Sequence, residues 1–281
     1  MQGKTVVLTG GTSGIGEVAA VQLAGLGARL VLIARDRSRG EATLAKLDAQ
    51  APGRGHRVLY ADLSQIAEMK RVGGEIAASE SKIDVLINNA GAMFGKRQLT
   101  VDGFEKTFAL NHLSYFVLTA LLRERLLGSA PARIINTASS AHKSAHFDIN
   151  DLQTAKNYLS FEAYSRSKLD NILFTRELAR RLQGTGVTAN CLHPGFVATR
   201  FGDEAGGFIA RMIGFAKNLA IAPEEGAKTI VYLATSPDVA IANGDYFYKC
   251  RKATTTAAGR DDKLARALWD RTVAITGVDW T

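Results

Sequence analysis

The sequence predicts an α/β protein: one domain built on a doubly wound, seven-stranded parallel sheet. Three observations carry that expectation. Short apolar runs alternate with helical stretches from Lys4 to Tyr248. The runs are apolar almost without interruption, as strands covered on both faces are. The first run leads through a glycine turn and a helix to a second run within about 30 residues, the span of one βαβ unit.

The elements follow in order. Lys4–Thr9 is the first strand; it ends in Gly10-Gly11-Thr12-Ser13-Gly14-Ile15-Gly16, and Glu17–Leu26 reads as a helix closing at Gly27. Arg29–Ala34 is the second strand, Ser38–Gln50 a helix and Arg57–Ala61 the third strand. A helix over Gln65–Ser79 leads to the strand Ile83–Asn88, and a long helical stretch is expected from about Val101 to Leu127. Arg133–Ala138 is a strand ending at Ser139, and a loop over Ala141–Phe161 precedes a helix whose apolar residues (Leu169, Ile172, Leu173, Leu178, Leu182) recur at helical spacing. Val187–Leu192 is the sixth strand, Glu224–Thr235 a helix and Asp245–Tyr248 the seventh strand. No repeat or linker divides the chain, so residues 1–281 read as one domain.

Two stretches stand outside the alternation. Phe196–Ala222 is rich in Gly and apolar residues, among them Phe201, Phe208, Met212 and Phe215. It reads either as a lid at the C-terminal edge of the sheet or as a short helix pair packed on the core. From Arg251 a polar extension leads into a helix from Asp261 to about Ala274.

Composition narrows the function classes. The net charge of +8 admits an anionic partner, but the Lys and Arg residues are scattered rather than interleaved with aromatics, which argues against nucleic-acid binding. No run reaches the roughly 18–20 apolar residues of a membrane span, and the N-terminus enters a strand at once, without a signal-peptide layout. Two cysteines suggest no disulfide framework, so a cytoplasmic location is expected. The histidines His142, His146 and His193 fit no metal spacing and read as pocket-wall or structural residues.

The chemistry lies in a few short motifs. Gly10, Gly14 and Gly16 sit between a strand and a helix, where glycines let the backbone approach a pyrophosphate held on the helix N-terminal amides. Beyond the second strand stands Arg35, where an acidic residue would hold the ribose hydroxyls of NAD; a guanidinium suits a 2′-phosphate instead. Asp36 would oppose that phosphate if it pointed inward, while Arg37 and Arg39 add positive field. Tyr164 and Lys168 are one helical turn apart on one face. A fixed ammonium beside a phenol favours the phenolate, which makes Tyr164 a candidate for proton transfer near neutral pH.

Together with Asp62-Leu63, Asn88-Asn89-Ala90-Gly91, Asn111, Ser139 and Pro194-Gly195, these motifs resemble the short-chain dehydrogenase/reductase family in their order and spacing. Asn136-Thr137-Ala138-Ser139-Ser140-Ala141-His142 and the run from Ser167 to Ala179 resemble its retinol-dehydrogenase-like branch. The resemblance implies a Rossmann fold and residue roles. Ser139, with Ser140 as the alternative register, would hold the substrate oxygen. Tyr164 would exchange the proton, and Lys168 would lower the Tyr164 pKa and hold the nicotinamide ribose. Asn111 would anchor a water linking Lys168 to solvent. Gly10, Thr12, Ser13, Gly14, Ile15 and Gly16 would hold the phosphates. Asp62 with Leu63 would meet the adenine, and Asn89, Ala90 and Gly91 would line the cleft. Pro194, Gly195, Val197 and Thr199 would meet the nicotinamide. Animal members of that branch usually carry a membrane anchor ahead of the first strand, at which the present sequence begins.

The expectation is therefore an NADP(H)-dependent oxidoreductase that interconverts an alcohol and a carbonyl. The substrate would be a bulky apolar small molecule, retinoid-, steroid- or lipid-like, and the assemblies considered are a homodimer and a homotetramer. Two alternatives stay open: a C=C reductase of the protochlorophyllide-reductase type, and a nucleotide-binding regulatory protein without turnover.

Overall fold

The computed structural model describes residues 1–195, 222–278 and 280. The apolar runs form β1 (Thr5–Thr9), β2 (Arg29–Ala34), β3 (Arg57–Tyr60), β4 (Val85–Asn88), β5 (Ala132–Thr137), β6 (Val187–Leu192), β7 (Tyr246–Tyr248) and β8 (Arg251–Ala253). They pair in the order β3-β2-β1-β4-β5-β6-β7-β8. The first seven are parallel, as the apolar runs require. The order reverses between β1 and β4, and in an open α/β sheet ligands bind beyond the carboxyl ends of the strands at that point.

The expected seven strands gain an eighth. β8 folds back antiparallel on β7 through Lys249 and Cys250, both at positive φ (49° and 58°). Two-residue hairpins of that geometry favour Asn and Gly, so Lys-Cys carried no turn signal. Arg251-Lys252-Ala253 is also too polar to read as a strand.

The helices are α1 (Gly14–Gly25), α2 (Arg37–Gln50), α3 (Ile66–Ser79), α4 (Lys106–Phe108), α5 (Ser114–Leu121), α6 (Arg123–Leu127), α7 (Ser160–Arg181), α8 (Pro223–Thr235) and α9 (Asp262–Thr276). Strand side chains alternate between two cores. Val6, Leu8, Leu30, Leu32 and Ile87 meet α1, α2 and α8. Val7, Val31, Ile33, Leu86 and Ile134 meet α3, α5, α7 and α9. Each fully buried Leu, Ile or Val is worth about 1.5–3 kcal/mol relative to exposure, so the two layers hold the strand ends rigidly under the site.

The helix expected over Val101–Leu127 is divided. Asp102-Gly103 make a turn, with Gly103 at φ 79°, and Glu105 caps α4 by accepting from the amides of Thr107 (2.9 Å) and Phe108 (2.8 Å). Ala109–Leu113 then forms a π-helical turn that carries Asn111; such wide turns gather at functional sites. On this side α9 closes the core. Trp269 packs on Phe174 and Phe116 with ring centroids 5.9 and 5.0 Å apart, and His112 Nε2 meets Thr272 Oγ1 at 3.1 Å across 160 residues of sequence.

Candidate active site

Above the carboxyl ends of β1, β4 and β5 lies a cleft of about 840 Å³. One end is built by the glycine turn. Gly10 has φ 68°, and a Cβ there would stand 2.8 Å from Ala90 Cα; a Cβ on Gly16 would stand 2.1 Å from the carbonyl oxygen of Gly10. Only glycine lets β1, α1 and the turn after β4 approach this closely. Ser13 at the N-cap of α1 makes no side-chain cap, so the first-turn amides keep their hydrogen-bonding capacity for a ligand. Thr9 Oγ1 accepts from the amides of Asn89 (2.9 Å) and Ala90 (3.0 Å) and fixes the opposite wall. Asn89 lines the cleft but spends its amide on the carbonyls of Thr9 (3.3 Å) and Gly10 (3.2 Å).

Arg35, Asp36 and Arg39 line the same end. Asp36 does not compete for a ligand. It caps α2, accepting from the Arg39 amide at 2.9 Å, and pairs with the Arg39 guanidinium at 3.1 Å. Those Arg39 contacts hold its carboxyl below the usual range. Asp62 is more enclosed. Burial pushes its carboxyl up, but the Ser64 amide and hydroxyl, the Gln65 amide and the nearby charge of Arg35 outweigh that and hold it low.

The other end carries the second set. Ser139, Tyr164 and Lys168 line the cleft together with Gly91, Pro194 and Gly195. Ser139 stands two residues beyond the end of β5 and caps a short 3-10 turn over Ser140–Ser144, its Oγ accepting from the Ala141 amide at 3.2 Å. The Ser139 side chain hydrogen-bonds to the Tyr164 phenol. Lys168 is 3 % exposed and donates from Nζ to the Thr137 carbonyl at 3.0 Å. Asn111 lies behind the wall. It accepts from the Ala92 amide (2.9 Å) and donates to the Ala92 carbonyl (2.9 Å) and Ser167 Oγ (3.0 Å). Gly91 separates it from Lys168: a Cβ there would lie 3.1 Å from Asn111 Oδ1 and 3.3 Å from Lys168 Nζ.

One expectation is corrected here. The net shift of the Tyr164 pKa is upward, not downward. Burial pushes the phenol up to about 12, with the Ser139 hydrogen bond pulling against it, and burial pushes Lys168 down to about 7. Both effects are desolvation of the charged form, which spacing along a helix cannot reveal. Val197 and Thr199, and all but the last residue of the Phe196–Ala222 stretch read as a lid or a helix pair, lie outside the described residues.

Several residues that the motifs contain, but to which no role was given, support the site. Asn88 Nδ2 donates to Asn136 Oδ1 (2.9 Å) and Thr119 Oγ1 (3.0 Å), and Asn136 Nδ2 donates to Thr175 Oγ1 (2.9 Å). This buried relay joins β4, β5, α5 and α7 and fixes the strand ends against the helix that carries Tyr164. Ser144 and Phe161 also line the cleft and come from the stretch read as a loop. His142 sits 2.6 Å from the Ser139 carbonyl. His193 stacks on Tyr248 with centroids 4.5 Å apart and is pushed down to about 4 by burial. Among the described residues no group of three or more His, Cys, Asp or Glu is placed to hold a metal ion, and no helix is long and apolar enough to cross a membrane.

Residues 4–207 match the family described as short chain dehydrogenase. The chain belongs to the short-chain dehydrogenase/reductase family. Within it the chain falls in the retinol-dehydrogenase-like branch. It is 41 % identical over 291 residues to retinol dehydrogenase 14 of Mus musculus, covering 99 % of this chain and 87 % of that protein. It is 38 % identical over 284 residues to retinol dehydrogenase 13 of Homo sapiens, covering 99 % and 86 %. Among solved structures, an uncharacterised protein from Mycobacterium paratuberculosis superposes with a TM-score of 0.80 at 31 % identity, covering 100 % of this chain and 96 % of that one. A short chain dehydrogenase from Burkholderia cenocepacia in complex with NADP gives 0.69 at 26 %, covering 87 % and 95 %. Membership makes the protein an oxidoreductase that binds a nicotinamide cofactor.

Proposed function

We propose that the protein is an NADP(H)-dependent dehydrogenase/reductase that interconverts an alcohol and a carbonyl on a bulky, apolar, retinoid-like substrate. The observation that carries this is the meeting of Ser139, Tyr164 and Lys168 at one end of a cleft whose other end holds Arg35 and the uncapped start of α1. The residues fit the cofactor. Free first-turn amides suit a pyrophosphate, Arg35 offers positive charge for a 2′-phosphate, and the Asp36 carboxylate is paired with Arg39. A B. cenocepacia relative holding NADP supports the choice of phosphate form, and the similarity to retinol dehydrogenases supports the substrate class.

The bound nicotinamide supplies the hydride. In reduction the Ser139 hydroxyl holds the substrate oxygen and the Tyr164 phenol gives it a proton. A phenol pushed up to about 12 is protonated at neutral pH and ready to donate. In oxidation the same oxygen must accept the proton, which needs the ammonium of Lys168 close by to stabilise the phenolate. Asn111 keeps one Oδ1 lone pair beyond its bond to the Ala92 amide. The gap kept open by Gly91 between that oxygen and Nζ would admit a water linking Lys168 outward.

The test is a panel of bulky aldehydes, ketones and alcohols with NADPH or NADP⁺, set against NADH or NAD⁺ and read at the nicotinamide absorbance. Turnover of carbonyls with NADPH in preference to NADH is expected. A preference for NADH, or reduction confined to C=C bonds, would overturn the proposal.

A further inference from the structure

Lys168 is an unusual cation in this fold. It is 3 % exposed, and among the described residues no carboxylate pairs with it. The groups that face it can be named element by element. β5 offers the Thr137 carbonyl at 3.0 Å. The turn after β4 brings Gly91, which has no side chain, and the π turn brings the neutral amide of Asn111 beside it. From α7 comes the Tyr164 ring, its centroid 5.6 Å from Nζ. From α5 comes the Tyr115 ring, its centroid 5.8 Å from Nζ. The nitrogen thus lies between two aromatic rings, both within the range at which a ring face attracts a cation, and the effect is strongest where water is excluded.

Tyr115 itself is 0 % exposed, and among the described residues its hydroxyl has no hydrogen-bond partner. A buried hydroxyl without a partner is a net cost, so the side chain is not held there by its oxygen. Its contact with Lys168 runs through the ring face. Burial, with the nearby Tyr164 adding to it, keeps the Tyr115 phenol neutral, so the ring cannot act as a counter-ion.

We propose that Tyr115 is a positioning residue whose ring face keeps Lys168 charged and aimed at Tyr164. The idea rests on the roles proposed for Tyr164 and Lys168, but it can be measured without turnover. Burial alone drives the lysine toward its neutral form; the ring opposes that at a place where no acidic side chain does.

The experiment titrates the enzyme labelled with ¹³C at lysine Cε, with the Lys168 signal identified by its loss in Lys168→Met. Tyr115→Phe, which keeps the ring, should leave the Lys168 midpoint within about 0.3 pH units, and Tyr115→Leu should lower it by roughly one unit. Because Leu could disturb packing, a series of phenylalanine analogues with one, two and three ring fluorines is placed at position 115. Fluorination weakens the ring face at nearly constant shape, so the midpoint should fall stepwise along the series. A midpoint that does not move with fluorination overturns the proposal. So does a Phe variant shifted as far as the Leu variant, which would assign the effect to the hydroxyl. The pH profile of kcat/KM for carbonyl reduction is measured in parallel. A Lys168 midpoint that moves while that profile stays fixed supports the ring contact and removes Lys168 from the mechanism, so the two readings fail separately.

Discussion

Lys168 Nζ donates to the carbonyl oxygen of Thr137 at 3.0 Å, which ties the ammonium on α7 to the end of β5 two residues before Ser139. Strand end and helix are pinned to each other at this point. The next side chain toward the cleft is the Tyr164 phenol, one turn before Lys168 on the same helix.

Removing that phenolic oxygen is the sharpest test of the mechanism. Tyr164→Phe keeps the ring and leaves Arg35 and the glycine turn untouched, so NADPH affinity should stay within a few-fold of wild type. Single-turnover hydride transfer to a carbonyl should fall by ~10²–10⁴-fold, the usual loss of a general acid. Near-normal transfer would move the reaction away from carbonyl chemistry.

Arg35 should set the choice of cofactor. A charge-assisted contact to phosphate is worth ~1.5–3 kcal/mol, roughly tenfold to a hundredfold in affinity. Arg35→Ala should raise the KM for NADPH by that factor and leave NADH nearly unchanged, as read from initial rates with each cofactor. An equal change for both would place the arginine outside phosphate recognition.

The pH profile follows from two buried groups. Lys168, pushed down to about 7, is an ammonium below that pH and neutral above it. Tyr164, pushed up to about 12, stays protonated throughout. NADPH affinity of the free enzyme should therefore weaken as pH rises through about 7, while the proton donor is retained. Fluorescence titration of NADPH from pH 5.5 to 9 checks this, with Lys168→Met expected to show no such step.

Asp170 gives a prediction on stability. It is 1 % exposed, among the described residues neither carboxylate oxygen has a hydrogen-bond partner, and burial pushes its pKa well up despite the charge of Arg166. A carboxyl whose folded pKa is raised holds a proton that the unfolded chain releases, so stability is lost as pH rises above the ordinary value of 3.8. Asp170→Asn removes that penalty. Its Tm relative to wild type should rise steadily from pH 4 to pH 8. A pH-independent difference would show that the group is ionised in the fold.

Much of this was legible in the chain, for local reasons. The glycine turn, the apolar parallel strands and the Tyr164/Lys168 spacing are short-range patterns, and the structure gathers their residues on one cleft. What stayed hidden depends on contacts distant in sequence. Tyr115 reads as one more apolar position until α5 meets α7. Asn88, Asn136 and Thr175 fall within the quoted motifs, but their relay exists only once β4, β5 and α7 bring them together. The Tyr164 pKa went the other way from the spacing argument because burial, not helical distance, dominates it. β8 escaped because its turn residues, Lys249 and Cys250, adopt a left-handed backbone that their side chains disfavour.

The seating of α9 on Phe116 and Phe174 bears on how the chain is made. Both rings leave the ribosome long before Trp269 does. At about 5–20 residues per second, the 95 positions between Phe174 and Trp269 take roughly 5–20 s to translate. For that interval the nascent chain carries a bare aromatic face beside the π turn that holds Asn111. The arrival of α9 is what covers that face.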